Sequence, residues 1–329
     1  MPDSATHLGV DPLIAVFHAS DGRRVMDAVA EMERTFAPAE IVAFAQMLAA
    51  SDHPQRAAIL ERDCIAELRS ARKVQPYRRV QISPDVSFYS AGGPAVEKTL
   101  VIGFGGMGGR LGLPIGLVLQ AIDAHRFDLV MLRDPAQRSY SFGVGAYAPD
   151  FIRLVAQLNR DFRPERYRRL VTIGNSMGAA PALRAGFWMG AERGIAMGAR
   201  RPNDALMLVL RRPVGPALDP FCECLQTHPQ RGLLVYAEGC ATDVEAAQHL
   251  AAQAAGRPVI FAGMHDHNLV WRFWTMGALR AYLTLLLDGP LPADRHNKMP
   301  PVVIGRLWLP RLRADLGRRI RRWIPRKTR

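Results

Sequence analysis

Cysteine is scarce: the 329-residue chain has four, Cys64, Cys222, Cys224 and Cys240. So few in a chain this long do not make a disulfide framework. Cys222-Glu-Cys224 also lacks the two-residue spacer and the second pair of a zinc site. No apolar run reaches the length of a membrane span. Met1-Pro-Asp-Ser-Ala-Thr-His has no basic n-region, and Pro12 to Ala19 is too short for a signal segment. These absences make the reducing cytoplasm the expected address. Acidic residues are outnumbered by basic ones, 30 to 43, which leaves a formal charge of +13. The excess is local. From Pro301 to Arg329 there are ten Lys or Arg and one Asp, so this stretch carries +9 and the rest of the chain +4. Basicity therefore belongs to an appendage, and nucleic acid is not the expected partner.

What remains is ordinary globular composition, 49% hydrophobic and 22% charged, in a chain that can bury a full core. Three segments are expected. Residues 1–76 read as helices. Ser20 or Asp21 can cap a helix with Val25, Met26, Val29 and Met32 at helical spacing, and Pro38 suits the first turn of a second. A third runs through Ile59, Ile65 and Leu68 toward Val74. These helices carry no evident chemistry, and scaffold, lid and dimer surface are all open to them. From Tyr77 the rhythm changes. Val80 to Tyr89 alternates as a strand pair, and short apolar runs then recur at Thr99–Phe104, Phe127–Leu132, Leu170–Ile173, Ala205–Leu210, Leu233–Ala237 and Pro258–Ala262. Helical stretches separate them, and Trp271–Leu287 reads as one long final helix. Such alternation predicts an α/β fold over residues 77–290: a mostly parallel sheet with helices on both faces. Residues 291–329 form the basic tail.

The chemistry centres on Leu170-Val-Thr-Ile-Gly174-Asn175-Ser176-Met177-Gly178-Ala179-Ala180. A strand runs into Gly-x-Ser-x-Gly and then into a helix, which is the spacing of a nucleophile elbow. A tight strand-to-helix turn forces the serine into strained backbone angles and demands small neighbours. Its hydroxyl then stands clear of the sheet. A serine needs a neutral imidazole to take its proton and a carboxylate to orient that imidazole. Active groups of such sheets collect at the carboxyl ends of the strands. After Leu233–Ala237 come Glu238-Gly-Cys-Ala-Thr-Asp243. After Pro258–Ala262 come Gly263-Met-His265-Asp266-His267-Asn268. Asp243 is the expected acid, with Glu238 in reserve, although Asp243 could equally cap the helix that follows. His267 and His265 both qualify as the base. A His-x-His pair after a strand can also hold a metal, but no further strand-helix units follow to supply ligands, so neither metal nor cofactor is expected.

A rival signal is Gly103-Phe-Gly105-Gly106-Met107-Gly108, which has the spacing of a dinucleotide fingerprint after a strand. Leu113-Pro114 argues against it, because proline would break the helix that the fingerprint requires. The next strand also offers no acidic residue at its end before Asp134. The same glycines serve better as an oxyanion wall. Amides of Gly105 and Gly106 are one half of the expected donor pair and that of Met177 is the other.

On Gly174-Asn175-Ser176-Met177-Gly178, the Phe104-Gly105-Gly106-Met107 loop, Asp243 and His267-Asn268, the stretch from Tyr77 to Gly289 resembles the α/β-hydrolase superfamily. Its texture is also similar to the hydrolase-like proteins found beside bacterial surface-polysaccharide genes. The superfamily resemblance implies Ser176 as nucleophile, Asp243 as acid, His267 as base, and acyl transfer on esters or thioesters of a small molecule, lipid or glycan. The narrower one implies an alternative, a non-catalytic or acyltransferase-like protein serving polysaccharide or lipid assembly at the inner membrane face. Two departures stand out: the loop lacks the usual His-Gly pair, and Arg211 to Arg231 is too short for a large cap domain.

In the tail, Leu312, Leu316, Ile320 and Trp323 fall on one helical stripe between Pro310 and Pro325, with arginines elsewhere. That pattern suits a helix lying in an anionic membrane interface. A helix docked on its own domain or a disordered tail fits the residues equally well. The membrane reading predicts salt-sensitive binding to anionic vesicles that disappears on truncation before Pro310. Equal binding by the truncated chain would dispose of it.

Overall fold

The computed structural model describes residues 22–200, 231–254, 256–290 and 298–299. The run Ala205–Leu210, the segment Arg211 to Gln230, the Cys222–Cys224 pair, the Ser20 or Asp21 cap and the tail over residues 310–325 lie outside the described residues. Among the described residues four helices come first: α1 (Gly22–Thr35), α2 (Pro38–Ala49), α3 (Arg56–Leu60) and α4 (Asp63–Arg69). Val25, Val29, Met32 and Phe36 recur every three or four residues and are all buried, so α1 offers one apolar stripe. Pro38 occupies the first turn of α2, where its missing amide costs nothing, and the Glu40 carboxylate accepts from the Ala37 amide at 2.7 Å.

A nine-stranded sheet follows: β1 (Arg78–Ser83), β2 (Val86–Ser90), β3 (Thr99–Phe104), β4 (Phe127–Leu132), β5 (Arg169–Asn175), β6 (Arg193–Met197), β7 (Gly232–Ala237), β8 (Arg257–Phe261) and the two-residue β9 (Lys298–Met299). Their order is β1-β2-β4-β3-β5-β6-β7-β8-β9. β1 and β2 pair antiparallel, as do β2 and β4, and every later pairing is parallel. The remaining helices among the described residues are α5 (Ile115–Ala121), α6 (Phe151–Phe162), α7 (Ala179–Trp188), α8 (Ala241–Ala254), α9 (Leu269–Thr275) and α10 (Leu279–Leu287). This is the expected α/β architecture, a mostly parallel sheet with helices on both faces.

Alternation along the strands decides which helices go where. Val101, Leu129, Val171, Ile173 and Val235 share a core with α1, α2, α4, α5, α9 and α10. Leu100, Ile102, Val130 and Leu170 face α6 and α7, while Ala196 and Leu234 face α7 and α8. The N-terminal helices thus pack in the same core as the sheet, chiefly over α5. They are also tied to its edge by polar contacts. The Tyr89 hydroxyl donates to the Thr35 carbonyl at 2.5 Å, and Arg79 pairs with Glu40 at 3.2 Å.

Three elements differ from the sequence reading. β6 lies between β5 and β7 and carries Arg-Gly-Ile-Ala-Met, a stretch with no apolar run to announce it. The segment from Ile59 to Leu68 is two short helices separated at Glu61-Arg62. The final helix is broken at Gly277, whose φ of +69° suits glycine, giving α9 and α10 in place of one rod. Among the described residues no helix is long and apolar enough to cross a membrane.

At the amino end of the sheet, Lys98 and Asp128 are 3% and 5% exposed and pair at 2.8 Å, with the Tyr167 hydroxyl donating to the other carboxylate oxygen at 3.1 Å. Removing one member of such a pair leaves a buried charge uncompensated. Lys98→Met is expected to lower unfolding free energy by about 3–5 kcal/mol in a urea titration. A loss under about 1 kcal/mol would show that water reaches Asp128.

Candidate active site

β5 ends at Asn175 and α7 begins at Ala179, leaving Ser176, Met177 and Gly178 to turn the chain. Ser176 takes φ +53°, the left-handed region that non-glycine residues avoid. Holding it there costs on the order of 1–3 kcal/mol, which the surrounding packing must supply. The flanking glycines are sterically required. A Cβ on Gly174 would lie 2.0 Å from the Gly178 carbonyl oxygen, and one on Gly178 would lie 2.2 Å from the Phe104 carbonyl oxygen. Strand, turn and the loop after β3 therefore interlock, and the serine side chain is left only partly covered.

His267 follows β8 and reaches back to this turn. Its Nε2 lies 2.9 Å from Ser176 Oγ. Its Nδ1 lies 2.7 Å from Asp243 Oδ1. Asp243 is fully buried, whereas the His267 side chain is 30% exposed. The three side chains thus form one hydrogen-bonded chain running from buried carboxylate to accessible hydroxyl. Asp243 lies in the first turn of α8, two residues inside its start at Ala241, and its side chain is directed to the imidazole, so the cap alternative does not describe it.

The reserve candidates lie elsewhere. Glu238 accepts from the Gly263 amide at 3.2 Å, within the turn beside β8. His265 is exposed and its ring packs over Gly239, where a Cβ would lie 2.0 Å from Nδ1. Asp134, the late acidic residue of the dinucleotide reading, accepts the amides of Arg138 and Tyr140 at 2.7 and 2.9 Å, which makes it a loop brace. α5 starts at Ile115, well past the glycines, so the helix that follows the loop does not open within them as the dinucleotide fingerprint requires.

The glycine loop itself requires a correction. The Gly105 amide donates to the Leu132 carbonyl at 3.1 Å, because the parallel ladder continues one residue past β3. The Gly106 amide donates to the Arg110 carbonyl at 2.9 Å, closing the loop on itself. Neither of these expected oxyanion donors is free. Gly106 nevertheless lies against the nucleophile, since a Cβ there would be 3.4 Å from Ser176 Cβ and 2.9 Å from the Asn175 carbonyl oxygen. The amides of Met107 and Met177 have no acceptor among the described residues.

One residue of the site escaped the sequence reading, and a second, Asn268, was named there without a role. Gly198, just past the unforeseen β6, has φ +52°. A Cβ there would lie 2.7 Å from the His267 carbonyl oxygen and 3.2 Å from Asp243 Oδ2. Its only sequence signal is a glycine after a short strand between the nucleophile and acid strands. Asn268 caps α9 by accepting from the Trp271 amide at 3.1 Å and donates to the Gly112 carbonyl at 2.8 Å. It ties the base to the glycine loop. Cys240, Asp243 and His267 also bring one possible metal-ligand atom each within 4.8 Å of one another. Two of these groups already hydrogen-bond to each other, so an ion there would break the Asp243–His267 contact.

No family model and no curated protein matches the sequence. Among solved structures, the chain is similar to S-formylglutathione hydrolase from Staphylococcus aureus, with a TM-score of 0.45 and 12% identity over 64% of this chain and 98% of that one. It is similar to dienelactone hydrolase from Anabaena variabilis, with a TM-score of 0.42 and 15% identity over 64% and 95%. It is also similar to 2,6-dihydroxy-pseudo-oxynicotine hydrolase, with a TM-score of 0.41 and 12% identity over 84% and 88%.

Proposed function

We propose that the chain is a serine hydrolase that cleaves carboxylic esters or thioesters through an acyl-enzyme on Ser176. The observation that carries this reading is the unbroken contact chain from Asp243 through His267 to Ser176, at 2.7 and 2.9 Å, with the serine held at φ +53°. Neutral His267 takes the Ser176 proton at Nε2 as Oγ attacks the carbonyl carbon. Asp243 keeps the other ring proton on Nδ1 and stabilises the imidazolium that forms. The carbonyl oxygen becomes an oxyanion, for which the free amides of Met107 and Met177 are the proposed donors. Imidazolium returns its proton to the departing alcohol or thiol. Water then repeats the sequence on the acyl-enzyme and releases the acid, with His267 again as base. No cofactor enters any step.

Stopped assays on 4-nitrophenyl esters and matched acyl thioesters test the reaction class. Saturable turnover of either is the expected result. Chain-length preference within the better class would then define the acyl group. No turnover of any member above the rate of free imidazole, by a protein that melts cooperatively, would refute the hydrolase reading.

A further inference from the structure

Between the N-terminal helices and the glycine loop lies a cavity of about 410 Å³ that the reaction above does not use. Its walls include Glu33 of α1, Arg62 and Asp63 at the start of α4, Arg110 of the glycine loop, and Trp271 and Trp274 of α9. Glu33 is 3% exposed, and both of its carboxylate oxygens are held by Arg62, at 2.8 and 2.6 Å. The Arg110 guanidinium lies 3.7 Å from the same carboxylate, near enough to feel its charge but too far to hydrogen-bond. Its side chain has no hydrogen-bond acceptor among the described residues. Burial, only partly offset by Glu33, holds this guanidinium below its ordinary pKa, and the neighbouring charge of Arg34 works in the same direction. A half-buried cation with unused donors favours an incoming oxyanion. Beside it, Trp271 is 42% exposed and its ring lies 4.9 Å from that of Trp274. The indoles give the cavity an apolar wall for a carbon chain.

The cavity is wired to the nucleophile through backbone. The Arg110 carbonyl accepts from the Gly106 amide, and Gly106 lies against Ser176. Asn268, next to His267, starts the helix that carries both tryptophans. Arg110 follows β3 and Trp271 follows β8, so both belong to connections that leave the carboxyl end of the sheet, as Ser176 does.

The geometry points to a substrate subsite in which a carboxylate or phosphate at the far end of the substrate pairs with Arg110 while its carbon chain lies along Trp271. The word substrate rests on the hydrolase reading, but binding does not require the chemistry. The test is made in Ser176→Ala protein, where nothing can be turned over. Suberate and octyl phosphate, titrated separately, are expected to change tryptophan emission saturably, because two of the five tryptophans line the cavity. The stronger of the two identifies the anion. 1,8-Octanediol, matched in length to suberate but uncharged, is expected to bind at least about tenfold more weakly. Adding Arg110→Met to this background should cost a similar factor, and Arg110→Lys less, since lysine keeps the charge without the fork. The lysine variant also stands in should the methionine variant not fold. Equal response to the diol, no response to either anion, or undiminished anion binding in the folded Arg110 variants would overturn the subsite. Anion binding in a protein that cleaves no ester would keep the subsite and remove the proposed reaction.

Discussion

Replacing Ser176 by alanine is expected to lower kcat for ester cleavage by about a million-fold, to the level set by binding and oxyanion stabilisation alone. The size follows from what the hydroxyl does. In the proposed reaction it supplies the nucleophile at the head of the Asp243–His267 chain, and without it water must attack the ester directly. Alanine has the same Cβ as serine and meets the same φ of +53°, so the turn is retained and the loss is chemical. Thermal melting close to the parent's would show that the fold is intact. A variant that kept a tenth of the activity would place the nucleophile elsewhere.

Asp243→Asn should be the second largest, a fall of roughly 10⁴ in kcat with KM little changed. Asp243 is fully buried and holds Nδ1 of His267 at 2.7 Å. Asparagine is isosteric, but its amide group can donate to Nδ1, which would put the ring proton on Nε2. That nitrogen would then point a proton at Ser176 and could not accept one. The structure leaves little room for the pair to rearrange, since Gly198 passes beneath both residues with contacts that even a methyl group would violate. Asp243→Glu checks the same geometry by another route. It keeps the charge but must shift the imidazole, so a large loss is expected there as well. Full activity in Asp243→Asn, at unchanged melting temperature, would mean that the aspartate serves only to start α8.

The elbow was legible because its constraints are local. Strand, two glycines, serine and helix are adjacent in the chain, and the clash that demands Gly174 comes from Gly178 four residues on, although the one that demands Gly178 comes from the distant Phe104 carbonyl. Order along the chain pointed to Asp243 and to the His265–His267 pair, each just past a buried strand. What stayed hidden depends on pairing between distant segments. β6 is stabilised by lying between β5 and β7, so Arg-Gly-Ile-Ala-Met need not look like a strand, and Gly198 was hidden with it. The Gly105 amide is engaged because β3 and β4 stay in register one residue beyond Phe104, and register is not written in a single strand. Choosing between His265 and His267 needed the ring of His265 to be placed over Gly239. The break at Gly277 was visible as a residue, but a helix tolerates one glycine, and only the packing of α9 against α10 shows that this one ends a turn.

A fluorophosphonate probe tests the central claim most directly, because it requires an activated serine but no knowledge of the substrate. The account predicts one covalent phosphonyl adduct, located by peptide mass spectrometry on Ser176, formed at a rate that collapses in Asp243→Asn and absent from Ser176→Ala. A folded parent protein that takes up no probe, or takes it up at another residue, would contradict it.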